Sequence, residues 1–216
     1  MKKPSDIRVY AAGRRAPAAF IFAHGAGAGH QSPFMVSFAE ALSQLGLDVV
    51  TFNFLYIEDK RRLPDRGPVL EETYRQVIEH ARAQLESARR ALFIGGKSMG
   101  GRIATQVAAA DADLQVTGLV LLGYPLHPPG QPEKLRDAHL PSVRRPMLFV
   151  QGSRDTFGTP GELEPVLARV TPAPVLHVID GGDHSFKLGR KDPVRQQEIY
   201  TGIQQAIVRW ITTGAT

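Results

Sequence analysis

Apolar runs of strand length alternate with segments of helical periodicity along nearly the whole chain. Parallel strands need crossover connections, so this alternation implies a mostly parallel sheet covered by helices on both faces. Ala18–Ala23, Gly118–Gly123 and Pro146–Val150 read as buried strands, Asp48–Phe52, Ala91–Gly95 and Val175–Ile179 as further strands, and Ile7–Tyr10 as a candidate extra edge strand. Ser32-Pro33 supplies a helix cap and a proline at the first helical position, ahead of an apolar stripe of Phe34, Phe38, Leu42 and Leu45 that stops at Gly46. Tyr74, Val77, Ile78, Ala81 and Leu85 mark a second amphipathic helix, with a polar loop from Glu58 to Pro68 before it. Arg102–Ala110 reads as a third helix. Thr159-Pro160-Gly161-Glu162 is a capping-box start for a fourth, and Ile199, Ile203, Ala206, Ile207 and Trp210 stripe the closing helix. The expectation is an α/β fold with a central sheet of about six to seven strands, residues 1–216 forming one domain.

Composition narrows the chemistry. The chain has no cysteine, which excludes disulfides, thiolate catalysis and Cys-ligated metals. No histidine pair has helical ligand spacing with a carboxylate, so no metal site is expected. The net charge of +5 raises nucleic acid as a partner, but Lys60-Arg61-Arg62, Arg89-Arg90 and Arg144-Arg145 flank expected elements, where solvated charge is the simpler reading. No apolar run approaches the ~18 residues of a membrane span. The basic start, Met1–Arg8, never develops the apolar region of a signal peptide, so cytoplasm is the expected location.

The chemistry centres on Gly96-Lys97-Ser98-Met99-Gly100. A G-x-S-x-G pentapeptide between a strand and a helix holds its serine on a sharp turn, where the flanking glycines let strand and helix approach. A serine hydroxyl is a poor nucleophile near neutral pH and needs a base, itself oriented by a carboxylate. Open α/β sheets gather such groups on loops beyond the carboxyl ends of their strands. Asp155 follows Pro146–Val150 and His184 follows Val175–Ile179, so Ser98, Asp155 and His184 are the candidate nucleophile, acid and base. Asp183 adjoins His184, and neighbouring side chains point apart, which makes it a poor orienter. The Gly-rich turn His24-Gly25-Ala26-Gly27-Ala28-Gly29 follows the first buried strand. The backbone N–H of Gly25 or Ala26, with that of Met99, is the candidate donor pair for a tetrahedral oxyanion. This turn lacks both G-x-G-x-x-G spacing and a Gly-Lys-Ser/Thr ending, which argues against a nucleotide site. His24 reads as shaping the turn, and His80 and His177 as structural. Lys97 and Arg102 read as solvated or carboxylate-paired. His127 and Lys187 are kept as candidate substrate-binding residues, with loop packing an equal reading for His127, and Arg190 and Lys191 extend the basic stretch after His184.

These elements, in this order, resemble the α/β-hydrolase superfamily over essentially all of the chain. Gly96–Arg102, Gly123-Tyr124-Pro125-Leu126-His127-Pro128 and Lys134-Leu135-Arg136-Asp137 more narrowly resemble a small hydrolase-like family. That family includes testis-expressed protein 30 and regulatory subunit 3 of the NSL histone-acetyltransferase complex. The resemblance implies a minimal α/β-hydrolase fold, and only Pro125–Arg145 lies where many such proteins insert a cap, which leaves no room for a large lid. The expected activity is hydrolysis of small soluble esters or thioesters through an acyl-enzyme, with no cofactor, nucleic acid or membrane involved. The rival expectation, carried by the same resemblance, is a non-catalytic interaction domain.

Overall fold

The computed structural model describes residues 2–13, 15–189 and 192–214. Seven strands form one sheet: β1 (Ile7–Tyr10), β2 (Ala19–Ala23), β3 (Asp48–Phe52), β4 (Leu92–Lys97), β5 (Gly118–Leu122), β6 (Met147–Gly152) and β7 (Val175–Ile179). Their spatial order is β1-β3-β2-β4-β5-β6-β7, with β1 antiparallel to β3 and every other pairing parallel. The edge strand expected at Ile7–Tyr10 is the one antiparallel member.

The helices are α1 (Pro33–Gln44), α2 (Leu55–Glu58), α3 (Gly67–Gln84), α4 (Glu86–Arg90), α5 (Met99–Ala110), α6 (Pro160–Leu167) and α7 (Pro193–Arg209). Alternation along each inner strand splits the core in two. In β2, Ala19, Ile21 and Ala23 face the layer of α3, α5 and α6, where Tyr74, Val77, Ile103, Val107 and Leu163 are buried. Phe20 and Phe22 face the opposite layer, packing with Phe38 and Leu42 of α1 and with Ile203 and Ile207 of α7. Strands buried on both faces read as continuous apolar runs. β7 is the exception: it is the other edge, and Val175 and Val178 are exposed.

Three helical details depart from the sequence reading. The α1 stripe is rotated: Met35, Phe38, Ala39 and Leu42 are buried, while Leu45 is exposed at the C-cap. Leu55–Glu58 and Glu86–Arg90 form one-turn helices, too short to show a period. The helix after the pentapeptide starts at Met99, directly after Ser98, rather than at Arg102.

Between β5 and β6 the chain forms only a 3-10 turn at Leu140–Ser142. Leu126, Leu140 and Val143 are buried against the α5–α6 layer, which draws this connection down onto the body. There is no helical lid among the described residues. Among the described residues this connection places no helix over the carboxyl ends of β5 and β6.

Candidate active site

Ser98 sits at φ 51°, ψ −117°, as the N-cap of α5. An L-residue adopts positive φ only where its surroundings over-determine it. Here they do. A Cβ on Gly96 would lie 2.3 Å from the Ala23 carbonyl oxygen, and one on Gly100 2.6 Å from the same atom. Only glycines allow β4 and α5 to close against the end of β2, and that closure forces the serine outward. The Ser98 N–H is held by the Leu122 carbonyl at 2.9 Å.

The structure brings the three candidate side chains together. His184 Nε2 lies 2.8 Å from Ser98 Oγ, and His184 Nδ1 lies 2.8 and 3.0 Å from the two oxygens of Asp155. Asp155 is buried, and its oxygens also accept from Gln151 Nε2 at 2.9 Å and the Phe157 N–H at 2.8 Å. An ionised carboxylate only accepts, so Nδ1 carries the proton and Nε2 is free to accept from the serine hydroxyl. The Phe157 ring lies over the His184 imidazole, with centroids 4.2 Å apart.

The loop carrying His184 is tied down on both sides. Asp183 Oδ1 accepts from the N–H groups of Ser185 and Lys187 at 2.7 and 2.9 Å, so this carboxylate shapes the turn instead of orienting the imidazole. From α7, Gln196 donates to the Phe186 carbonyl and accepts from the Leu188 N–H, while the Tyr200 hydroxyl donates to the Ser185 carbonyl.

Gly25 and Ala26 face Ser98 across the opening: a Cβ on Gly25 would lie 3.5 Å from Ser98 Cβ. The turn's histidine points away. His24 is fully buried, with Nδ1 2.8 Å from the Gly25 carbonyl and Nε2 accepting from the Phe54 N–H at 3.2 Å. Burial pushes its pKa down to about 4, so it is neutral.

A cleft of about 1060 Å³ opens over Ser98. Phe34, Met35, Phe38, Leu70 and Tyr200 supply its apolar wall, with Met99, Phe157 and His184 on the serine side. Lys187 lines it, as the sequence suggested. His127 does not: its ring is buried between the Pro128 carbonyl, 2.8 Å from Nδ1, and the Glu162 carboxylate, 3.3 Å from Nε2. Arg190 and Lys191 lie outside the described residues. Lys97 and Arg102 correct the sequence reading. Both line the cleft, and neither has a carboxylate within 4.0 Å among the described residues. Lys97 is buried over the Phe186 ring, which pushes its pKa down to about 8 against the attraction of Asp155 and Asp183. Gln151 and Phe157 are the site residues that sequence reasoning missed. Gln151 ends the β6 run beside Asp155, but a glutamine there carries no distinguishing signal.

Among the described residues no group of three or more His, Asp or Glu is placed to hold a metal ion. No described helix is long and apolar enough to cross a membrane. The sheet order, the strand–serine–helix turn and the cleft above it define an α/β-hydrolase fold. A family model described as an alpha/beta hydrolase domain matches residues 16–212, and the chain belongs to that family. Solved structures agree on the fold. An alpha-beta serine hydrolase homologue from Coxiella burnetii superposes with a TM-score of 0.74 at 19% identity, covering 97% of this chain and 94% of that one. A serine hydrolase without a lid from Xanthomonas campestris gives 0.70 at 23%, covering 95% and 89%. A dienelactone hydrolase from Anabaena variabilis gives 0.71 at 20%, covering 95% and 91%.

Proposed function

We propose that this protein is a serine hydrolase of small carboxylic esters or thioesters, acting through an acyl-enzyme on Ser98. The observation that carries the reading is the unbroken hydrogen-bonded chain Ser98–His184–Asp155, with its serine at positive φ on the floor of an open cleft. In acylation the Ser98 Oγ proton passes to His184 Nε2 as the Oγ–carbon bond forms. Asp155 holds the imidazole tautomer and stabilises the imidazolium. The oxyanion accepts from the Met99 N–H at the start of α5 and from the N–H of Gly25 or Ala26. His184 then protonates the departing alcohol or thiol as its bond to carbon breaks. In deacylation water gives a proton to His184, adds to the acyl carbon and releases the acid, and Ser98 recovers its proton. The absence of a lid favours short, soluble substrates over long acyl chains.

Residues 1–216 are read as one such domain, working in the cytoplasm without a cofactor. The resemblance to the family of testis-expressed protein 30 and the NSL-complex subunit supports a second reading, a non-catalytic interaction domain. The segments carrying that resemblance fold against each other: the Tyr124 hydroxyl donates to the Arg136 carbonyl, and the Arg136 N–H to the Leu126 carbonyl, both at 2.8 Å. Labelling by a fluorophosphonate probe separates the two readings. Serine hydrolysis requires labelling of the wild type that is lost in Ser98→Ala and His184→Ala. A folded wild type that takes no label sinks the enzyme reading and favours the interaction domain.

A further inference from the structure

The cleft over Ser98 is electrostatically one-sided. Four cationic side chains line it, Lys97, Arg102, Arg136 and Lys187, against one carboxylate, Asp65. Asp65 has one oxygen 2.7 Å from Arg61 Nη1, while its other oxygen is buried without a hydrogen-bond partner among the described residues. None of the four cations makes an ion pair within 4.0 Å among the described residues.

Arg102 and Arg136 are the telling pair. Arg102 lies one turn of α5 beyond Ser98, about 6 Å along the helix axis, and its N–H donates to the Ser98 carbonyl at 3.1 Å. Its Nε is buried without a hydrogen-bond partner, and its Nη1 reaches only Gln106 Oε1, at 3.4 Å. Arg136 arrives from the β5–β6 connection, close enough for its charge to push the Arg102 pKa down further than burial alone. Two half-buried guanidinium groups without a carboxylate in contact are held against mutual repulsion and incomplete solvation. A buried N–H without a partner is costly, and an anion in the cleft would relieve both penalties together. The planar fork of arginine suits two-oxygen acceptors, carboxylate or phosphate.

Building on the hydrolase reading, we infer that Arg102 and Arg136 bind a negatively charged group of the substrate, a carboxylate or phosphate carried a few atoms from the scissile carbonyl. The reacting carbonyl then sits over Ser98, and the charge lies one helical turn away along α5. Lys187, exposed at the rim, adds attraction at longer range.

The test compares matched chromogenic esters on the full chain: p-nitrophenyl butyrate and the mono-p-nitrophenyl ester of glutaric acid. The carboxylated ester should be preferred at least tenfold in kcat/KM, mainly through KM. Arg102→Gln or Arg136→Gln should bring that ratio close to one, and Arg102→Lys should recover part of it. Either glutamine variant serves if the other fails to fold. A second arm needs no turnover: calorimetric titration of Ser98→Ala with glutarate and with inorganic phosphate. At least one anion should bind, with affinity lost tenfold or more when Arg102 and Arg136 are replaced, and the better binder distinguishes carboxylate from phosphate. A ratio near one in an active enzyme overturns the inference. In an inactive protein, failure of both anions to bind does the same. Inactivity with Arg-dependent anion binding sinks the hydrolase reading and leaves this one standing.

Discussion

Two histidine-bearing turns stand at the same end of the sheet. One follows β2 and carries His24; the other follows β7 and carries His184. His24 is sealed, its ring nitrogens spent on the Gly25 carbonyl and the Phe54 N–H, and its pKa is pushed down to about 4. His184 keeps a fifth of its side-chain surface exposed, with Asp155 behind it and Ser98 in front. Residue type and topological position are the same in both. The role follows from what satisfies each ring nitrogen: backbone partners make His24 a brace, whereas a carboxylate and a hydroxyl place His184 for the base role proposed for it.

The largest test of that contrast is at the His184 turn. Ser98→Ala and His184→Ala should each lower ester turnover by about 10⁵-fold or more while leaving the thermal transition near that of the wild type. His24→Ala should leave Ser98 open to fluorophosphonate labelling in the folded fraction. Loss of labelling there, in a protein folded by circular dichroism, would break the contrast. Next in size, Asp155→Asn should cost about 10⁴-fold in kcat, because an amide can present its N–H to Nδ1 and favour the wrong tautomer.

His24→Ala should instead lower the unfolding free energy by about 2–3 kcal/mol in urea titration, through the vacated volume and the orphaned Phe54 N–H. Its pH dependence sharpens the point. The folded pKa of about 4 lies below the ordinary value of 6.5, so the unfolded chain binds more protons between those values. Stability from this group is full above pH 6.5 and is lost as pH falls toward 4, a loss of at most about 3 kcal/mol. Wild type should show that acid slope, and His24→Ala should flatten it.

The smallest effect has the opposite sign and sits beside the His184 turn. Lys97 has its folded pKa lowered to about 8 from 10.5, so burying its cation costs stability below pH 8. That cost falls away as pH rises from about 8 to 10.5. Lys97→Met should therefore raise the unfolding free energy by about 1–2 kcal/mol at pH 7, with the gain gone by pH 10.5. A variant less stable than wild type at pH 7 would mean that Lys97 contributes more through attraction and packing than its burial costs.

Much of this was legible in the residues. The inner strands announce themselves because strands buried on both faces cannot be polar on either, and Asp48–Phe52 matches its expected bounds, as does the edge strand Val175–Ile179. Ser98, Asp155 and His184 stood out because each follows a strand whose end had to face the same opening. The cationic lining did not. Lys97 and Arg102 read as solvated or carboxylate-paired, since nothing local distinguishes a cation pointing into a cleft from one pointing into water or toward a carboxylate. His127, following the β5 end, read equally as a cleft residue or a loop-packing one, and only the fold decides: α6 brings Glu162 to its ring, away from the cleft. One-turn helices such as α2 and α4 were missed, having no second turn in which a period could repeat.

The division follows from the range of the forces involved. Periodicity, caps and the glycines around Ser98 act over a few residues, so sequence alone determined the layered α/β architecture and the strained serine turn. Which imidazole is sealed and which cations lose their carboxylates depend on groups distant in the chain. Desolvation and Coulomb attraction act through space, and only the packed structure decides which charges share it.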